Sequence, residues 1–228
     1  MITISLEAKA QQTIINVPSP DVLKTGQIYT RMTYRFRPFQ PDPYEVVTPS
    51  LVYGLSNTQE LYLNVGGLNF VETPSPIPGS PPVSGISPFL GISYKKVFML
   101  TPTTRYTIGN RMDVSLVSET TPTNFSYTHF SQEIPFTKTR LTAGIYTQSG
   151  THFFPNRTGA LLGFEQYIIP GKVQIDVDWI SRNETFGFLA AGFKIRPGHG
   201  FVIVPAVLIP NGSQSKFGFI FFIGKIFR

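Results

Sequence analysis

The chain has no cysteine, three histidines and one tryptophan among its 228 residues. Without cysteine it has no disulfide framework, no thiolate nucleophile and no thiolate metal site. His129, His152 and His199 lie far apart with no companion ligands at metal-binding spacing, and no glycine-rich phosphate loop occurs, so the sequence points to no metal and no cofactor. Charge is scarce as well: Asp, Glu, Lys and Arg make up 14% of the chain, well under the roughly 25% of an ordinary soluble domain. Long apolar runs are missing too. No stretch approaches the roughly 18 uninterrupted apolar residues of a membrane helix, and mean hydropathy is only +0.04. A membrane crossing made of helices is excluded; one made of strands is not.

In place of these the chain carries 20 Phe, 10 Tyr, 20 Gly and 20 Pro, arranged with a period of two. Residues 172–182 show the pattern most plainly. Val173, Ile175, Val177 and Trp179 fall on one face of a strand, and Lys172, Gln174, Asp176, Asp178 and Arg182 on the other. The alternation recurs about twelve times in segments of about ten residues, the length a tilted strand needs to cross a bilayer. The spacing predicts strands at 27–37, 45–55, 59–70, 86–96, 104–117, 124–134, 139–148, 158–168, 172–182, 185–196, 201–209 and 216–227. Segment 201–209 is apolar on both faces and carries Pro205, which makes it the least regular of the twelve. The fold class that follows is all-β: a single antiparallel transmembrane β-barrel over 27–228. A soluble sandwich also alternates, but it needs its apolar faces inside and some continuous core runs.

Turn chemistry sets the ends. Asn57, Pro170-Gly171 and Pro197-Gly198 mark tight turns, and the longer stretches 38–44, 71–85, 118–123 and 149–157 alternate with them. Bacterial barrels keep short turns and both termini on the periplasmic side. Residues 1–26 precede the first strand. Ala8-Lys9-Ala10 has the small-x-small form of a signal-peptidase site, which makes 1–26 a residual signal and lead-in segment, and Pro18, Pro20 and Gly26 argue for an ordered or tethered stretch rather than a helix.

The formal charge is +6, from 19 Lys and Arg against 13 Asp and Glu. The basic residues sit singly on alternate strand positions, which is not the clustered footprint of a nucleic-acid binder. Strand parity sends Arg31, Arg35, Arg37, Lys95, Arg105, Arg111, Arg140, Lys172, Lys194 and Arg196 inward, against Glu60, Asp113, Glu165, Asp176 and Asp178. Rings of like charge in a narrow lumen select for the opposite ion. The expected function is a passive, weakly anion-preferring pore for small anionic or neutral solutes, with outer-membrane lipid around it. The other outcome is a plugged structural barrel whose charges satisfy one another.

Four stretches, 12–26, 124–131 (Asn-Phe-Ser-Tyr-Thr-His-Phe-Ser), 139–144 (Thr-Arg-Leu-Thr-Ala-Gly) and 224–227 (Gly-Lys-Ile-Phe), resemble a porin-like group of bacterial outer-membrane β-barrels best represented among cyanobacteria. The resemblance implies a barrel in the outer membrane and no particular substrate. Phe217, Phe219, Phe221, Ile223 and Phe227 have the terminal alternation that suits the barrel-assembly machinery, although Lys225 interrupts the row and Arg228 follows it.

One catalytic alternative stands beside the pore. His129-Phe130-Ser131 has the His-x-Ser spacing of outer-membrane lipid hydrolases, in which both side chains project to the lipid face. A tight turn at 119–122 would place Asn110 opposite Ser131 as the orienting third member. Gln132 stands where those hydrolases usually carry Asn.

Overall fold

A computed structural model describes residues 13–38, 44–69, 86–117, 122–150, 157–181, 187–212 and 217–227. Twelve strands are present among them: β1 (Ile28–Arg37), β2 (Tyr44–Ser56), β3 (Gln59–Asn69), β4 (Ile86–Met99), β5 (Thr104–Ser115), β6 (Thr123–Ile134), β7 (Thr139–Ser149), β8 (Arg157–Ile169), β9 (Val173–Ile180), β10 (Phe188–Gly198), β11 (Phe201–Pro210) and β12 (Gly218–Phe227). Each pairs antiparallel with its sequence neighbours, and β1 pairs with β12 from Ile28↔Phe227 to Phe36↔Phe219, which closes the barrel. Closure leaves no unpaired edge, the condition for strands to cross a lipid bilayer.

Burial is inverted relative to a soluble protein. Leu51, Leu63, Ile92, Met112, Leu162, Phe193, Phe221 and Ile223 are exposed on the outer wall, while Lys95, Lys194, Glu60, Asp176 and Asp178 are buried inside. An apolar surface of that extent is tolerable only against lipid. Phe98, Tyr106 and Phe130 lie side by side on the outside as tilted pairs, with ring centroids 6.0 and 4.8 Å apart, near the β4–β5 turn. Aromatic girdles occupy that level in outer-membrane barrels. Lys225 also points outward, its ammonium 4.9 Å from the Phe201 ring and 5.3 Å from the Phe227 ring, so its stem lies along apolar surface.

The connections alternate as the turn residues foretell. β2–β3, β4–β5, β6–β7, β8–β9 and β10–β11 are joined by short turns at the end where β1 starts and β12 finishes. The β10–β11 turn passes through Gly198, His199 and Gly200, all with positive φ. Strand 201–209 is confirmed as β11. Its inward residues Val202, Val204, Ala206 and Leu208 form one apolar cluster with Phe188, Ala190, Ile220, Phe222 and Ile15.

Ile15 belongs to a segment that the barrel swallows. In a barrel of about eight strands side chains alone fill the interior; twelve strands leave room for a stretch of chain, and residues 13–26 occupy it. Ile14, Ile15, Val17, Ser19, Asp21 and Leu23 are all buried. Leaving the lumen at the short-turn end, the chain bends at Gly26, whose φ of 78° suits glycine, and hydrogen bonds from Gly26 N to Gly54 O (2.8 Å) and from Gly54 N to Gln27 O (3.0 Å) tie the exit to β2. Residues 1–12, with the Ala8-Lys9-Ala10 site, lie outside the described residues.

Candidate functional site

The lumen and the segment that fills it are the site. At the inner end of the segment the chain folds back on itself, with Thr13 bridging Pro18 and Ile14 N donating to Val17 O at 2.7 Å. The turn so formed aims three successive backbone N–H groups, from Ile15, Asn16 and Val17, at Asp178 Oδ2, at 2.7, 2.5 and 2.8 Å. Such a concavity of N–H groups is an anion nest, here filled by a carboxylate of the barrel wall. Ile14 and Val17 pack with Tyr127, Tyr146 and Leu161. Arg31 donates to Thr13 Oγ1 at 3.1 Å, and Arg35 to Asn16 Oδ1 at 2.9 Å.

Midway along the segment the contacts become ionic. Arg140 donates from Nη1 to Asp21 Oδ1 (2.8 Å) and from Nη2 to Asp21 Oδ2 (2.9 Å), and Arg105 Nη1 reaches Oδ1 at 2.6 Å. Lys95 Nζ donates to the carbonyls of Ser19 (3.0 Å) and Asp21 (2.6 Å) while pairing with Glu60 at 2.8 Å. Burial alone would raise the pKa of Asp21, but Arg140 first, then Arg105 and Lys194, outweigh it and hold the carboxyl well below the usual carboxylate range. Nearer the exit, Leu23 N donates to Glu60 Oε2 at 3.1 Å, and the Leu23 side chain packs with Tyr29, Val52 and Tyr62.

Behind this grip lies a buried charge network in the wall. Glu165 accepts from Arg140 Nε (2.5 Å) and Nη2 (2.6 Å), from Gln174 (2.9 Å) and from Lys194 (3.2 Å), and Lys194 also pairs with Asp176 at 2.9 Å. The network converts single charges on β7, β8, β9 and β10 into one compensated cluster, the condition under which charges survive burial.

Most of the residues assigned to the lumen by parity are there. Lys95, Arg140, Glu165, Asp176, Asp178 and Lys194 are buried inside, with Arg37 beside the Phe188 ring at 4.6 Å. Arg105 grips Asp21, and Arg111 pairs with Asp113 at 2.8 Å in a half-exposed position. Arg31 lies over the Phe222 ring at 5.0 Å, and Arg196 over the Tyr167 ring at 5.7 Å. Lys172 is a correction: it sits in the β8–β9 turn and is exposed, because β9 begins only at Val173 and the alternation cannot be carried into the turn.

The hydrolase constellation is a second correction. His129 and Ser131 point into the lumen, each 1% exposed, and not toward lipid. Ser131 Oγ lies 3.2 Å from His129 Nδ1 and 2.8 Å from Thr142 Oγ1. The residue opposite Ser131 is Arg105; Asn110 is opposite Ser126 and bonds Asn124 and Ser126 on the outer face. Successive positions of a strand face opposite sides, so Asn110 and the His129–Ser131 pair stand on different sides of the wall. Residues 118–121, where the tight turn was expected, lie outside the described residues.

What parity could not supply is the plug's own half of the site: Thr13, Asn16, Asp21 and Leu23. The signal for them was β11, whose apolar inner face needs an apolar occupant in the lumen.

No protein-family model matches the sequence, and no curated protein matches it either. Among solved structures, the fold is similar to that of a KdgM porin in complex with disordered oligogalacturonate, at 8% identity and a TM-score of 0.57, over 89% of this chain and 98% of that one. A second KdgM porin structure matches over the same shares, at 8% identity and a TM-score of 0.55. The closed barrel and the apolar outer wall are those of a transmembrane β-barrel with a porin-like fold.

Proposed function

We propose that the chain is a passive porin-like barrel for small solutes, weakly preferring anions, and that residues 13–26 close it from inside in the conformation described. The observation that carries this reading is the way the lumen's basic residues are used. Arg31, Arg35, Lys95, Arg105 and Arg140 all reach the segment itself, so withdrawing it would uncover a cationic path along β1, β4, β5 and β7. Such a lining attracts anions. The oligogalacturonate held by one structural neighbour supports a solute route through a barrel of this shape. Outer-membrane lipid would cover the apolar wall, and the alternating aromatic end of β12 suits the barrel-assembly machinery.

Planar-bilayer recording of the whole chain and of a deletion of 13–23 tests the proposal. The deletion should raise conductance severalfold, with a reversal potential in a salt gradient that shows mild anion preference. A plugged structural barrel is the second reading, favoured by the number of buried polar contacts the segment makes. Under that reading only the deletion variant conducts, and the whole chain passes no current at any potential.

A further inference from the structure

The Arg140 guanidinium divides its hydrogen bonds between wall and plug. Arg140 uses its Nε and Nη2 to brace against Glu165, itself held by Lys194 and Gln174, and presents the Nη1–Nη2 edge to Asp21. One edge of the guanidinium is therefore fixed by the barrel, while the other is satisfied by a carboxylate on the plug, which lies outside the strand ladders and is held to the wall mainly through side chains. Arg105 on β5 reaches the same carboxylate, while Lys95 on β4 holds the Asp21 backbone carbonyl. Asp21 is the one acidic residue between positions 13 and 26, so the plug brings a single carboxylate and the wall provides a prearranged fork for it.

We propose that Arg105 and Arg140 form a carboxylate-binding site of the barrel, occupied in the closed state by Asp21 as an internal ligand, so that a carboxylated solute and the plug exclude one another. The proposal rests on the pore reading above and gives it a solute class: small organic acids, sugar acids included. Withdrawing the plug leaves Arg140 with a bare edge and Arg105 without its carboxylate, an arrangement that is costly in a confined lumen. A solute carboxylate that takes the vacated place lowers that cost, and its binding shifts the plug outward by mass action. Neutral sugars of the same size bring no charge to the fork and have no such leverage.

The absence of native cysteine makes the test direct. Ser19 is a fully buried residue of the plug, so a Ser19→Cys thiol reacts with a maleimide only when the segment leaves the lumen. The labelling rate of the folded barrel in liposomes would be measured with glucuronate and with glucose at equal ionic strength. Glucuronate should speed labelling saturably, by about tenfold or more on the scale of a lost charge-assisted pair, and glucose should not. Adding Asp21→Asn should raise the basal rate by a similar factor. Arg140→Gln and, separately, Arg105→Gln should abolish the glucuronate response; among the described residues Arg105 makes its ion pair with the plug alone, so that variant keeps the wall network intact if Arg140→Gln fails to fold. Equal effects of glucuronate and glucose, or a glucuronate response that survives Arg105→Gln, would overturn the site. Failure of the pore reading is separable, since it appears as a whole chain that conducts at no potential whatever the labelling shows.

Discussion

Arg140 and Asp21 stand 119 residues apart in the chain and meet through two parallel hydrogen bonds of 2.8 and 2.9 Å inside the barrel. The pair couples the two parts of the molecule, wall and plug, and its acid–base behaviour follows from that geometry. Around it are Arg105 on β5, Lys95 on β4, Glu165 on β8 and Lys194 on β10.

Docking holds the Asp21 carboxyl below its ordinary value of 3.8, against the opposing pull of burial. A lowered pKa in the docked state means that the ionised form favours docking, so the contribution is complete above pH about 4 and is lost as pH falls from there toward the docked value. Labelling of the Ser19→Cys barrel with a pyridyl disulfide, which still reacts with thiols in acid, taken relative to an exposed Thr25→Cys control at each pH to remove the loss of thiolate, should be flat from pH 8 to about pH 5 and rise below about pH 4, with the rise suppressed by Asp21→Asn. An acid response of the same size in Asp21→Asn would assign it to another group.

The inner end of the plug depends on Asp178. One oxygen accepts three backbone N–H groups, two of them from the buried Ile15 and Val17. Asp178→Ala should leave the barrel folded, because β9 keeps its ladders to β8 and β10, yet unpin the turn at 14–17. With charge-assisted bonds contributing about 1.5–3 kcal/mol each, amide hydrogen exchange at Ile15, Asn16 and Val17 should accelerate by at least about tenfold while exchange in the strands is unchanged. Uniform acceleration across strands and plug would show that Asp178 supports the wall instead.

How much of this was legible in the sequence divides along the same line. Period-two alternation is a local property, so Val173 to Asp178 announced strand, faces and lumen from their own order, and so did the other strands. The inward direction of β6 was not legible from that strand alone. Phe125, Tyr127, His129 and Ser131 share a face, but an aromatic face with one histidine suits lipid or lumen equally. What decides is the partner strand, where Gly109 faces Tyr127: a Cβ there would lie 2.3 Å from the Tyr127 ring. The docking of 13–26 was less legible still, because Asp21 to Arg140 and Ile15 to Asp178 are contacts between distant segments, and irregular backbone carries no periodicity.

The exit of the plug passes over Gly54. A Cβ at that position would lie 2.2 Å from the carbonyl oxygen of Lys24 and 2.9 Å from Leu23 Cβ, so the obstruction is backbone and has little freedom to yield. Gly54→Ala should therefore push the neck of the plug off β2 at an overpacking cost of about 1–3 kcal/mol. The expected signature is more frequent or longer openings in bilayer recordings, with unchanged heat-modifiable migration of the barrel on gels. Unaltered gating in a folded Gly54→Ala barrel would mean that the neck already moves freely.

Lipid hydrolysis provides a further check, because its requirements are geometric. A lipid hydrolase of the His-x-Ser type needs nucleophile and base on the outer wall, where acyl chains and head groups pass. Here His129 and Ser131 are shut inside, beneath the plug and beside Thr142, and Asn110 spends its amide on Asn124 and Ser126 across the wall. Neither phospholipid nor lipopolysaccharide can reach Ser131 Oγ without opening the barrel, and no third group orients His129 from the lumen side among the described residues, where its Nε2 makes no hydrogen bond. The purified barrel should release no fatty acid from either lipid. Ser131→Ala should change only packing, at about 1 kcal/mol for the lost hydroxyl bonds, and leave conductance as in wild type. Fatty-acid release that disappears in a folded Ser131→Ala barrel would require the β6 face to turn outward, contrary to its register with β5 and β7.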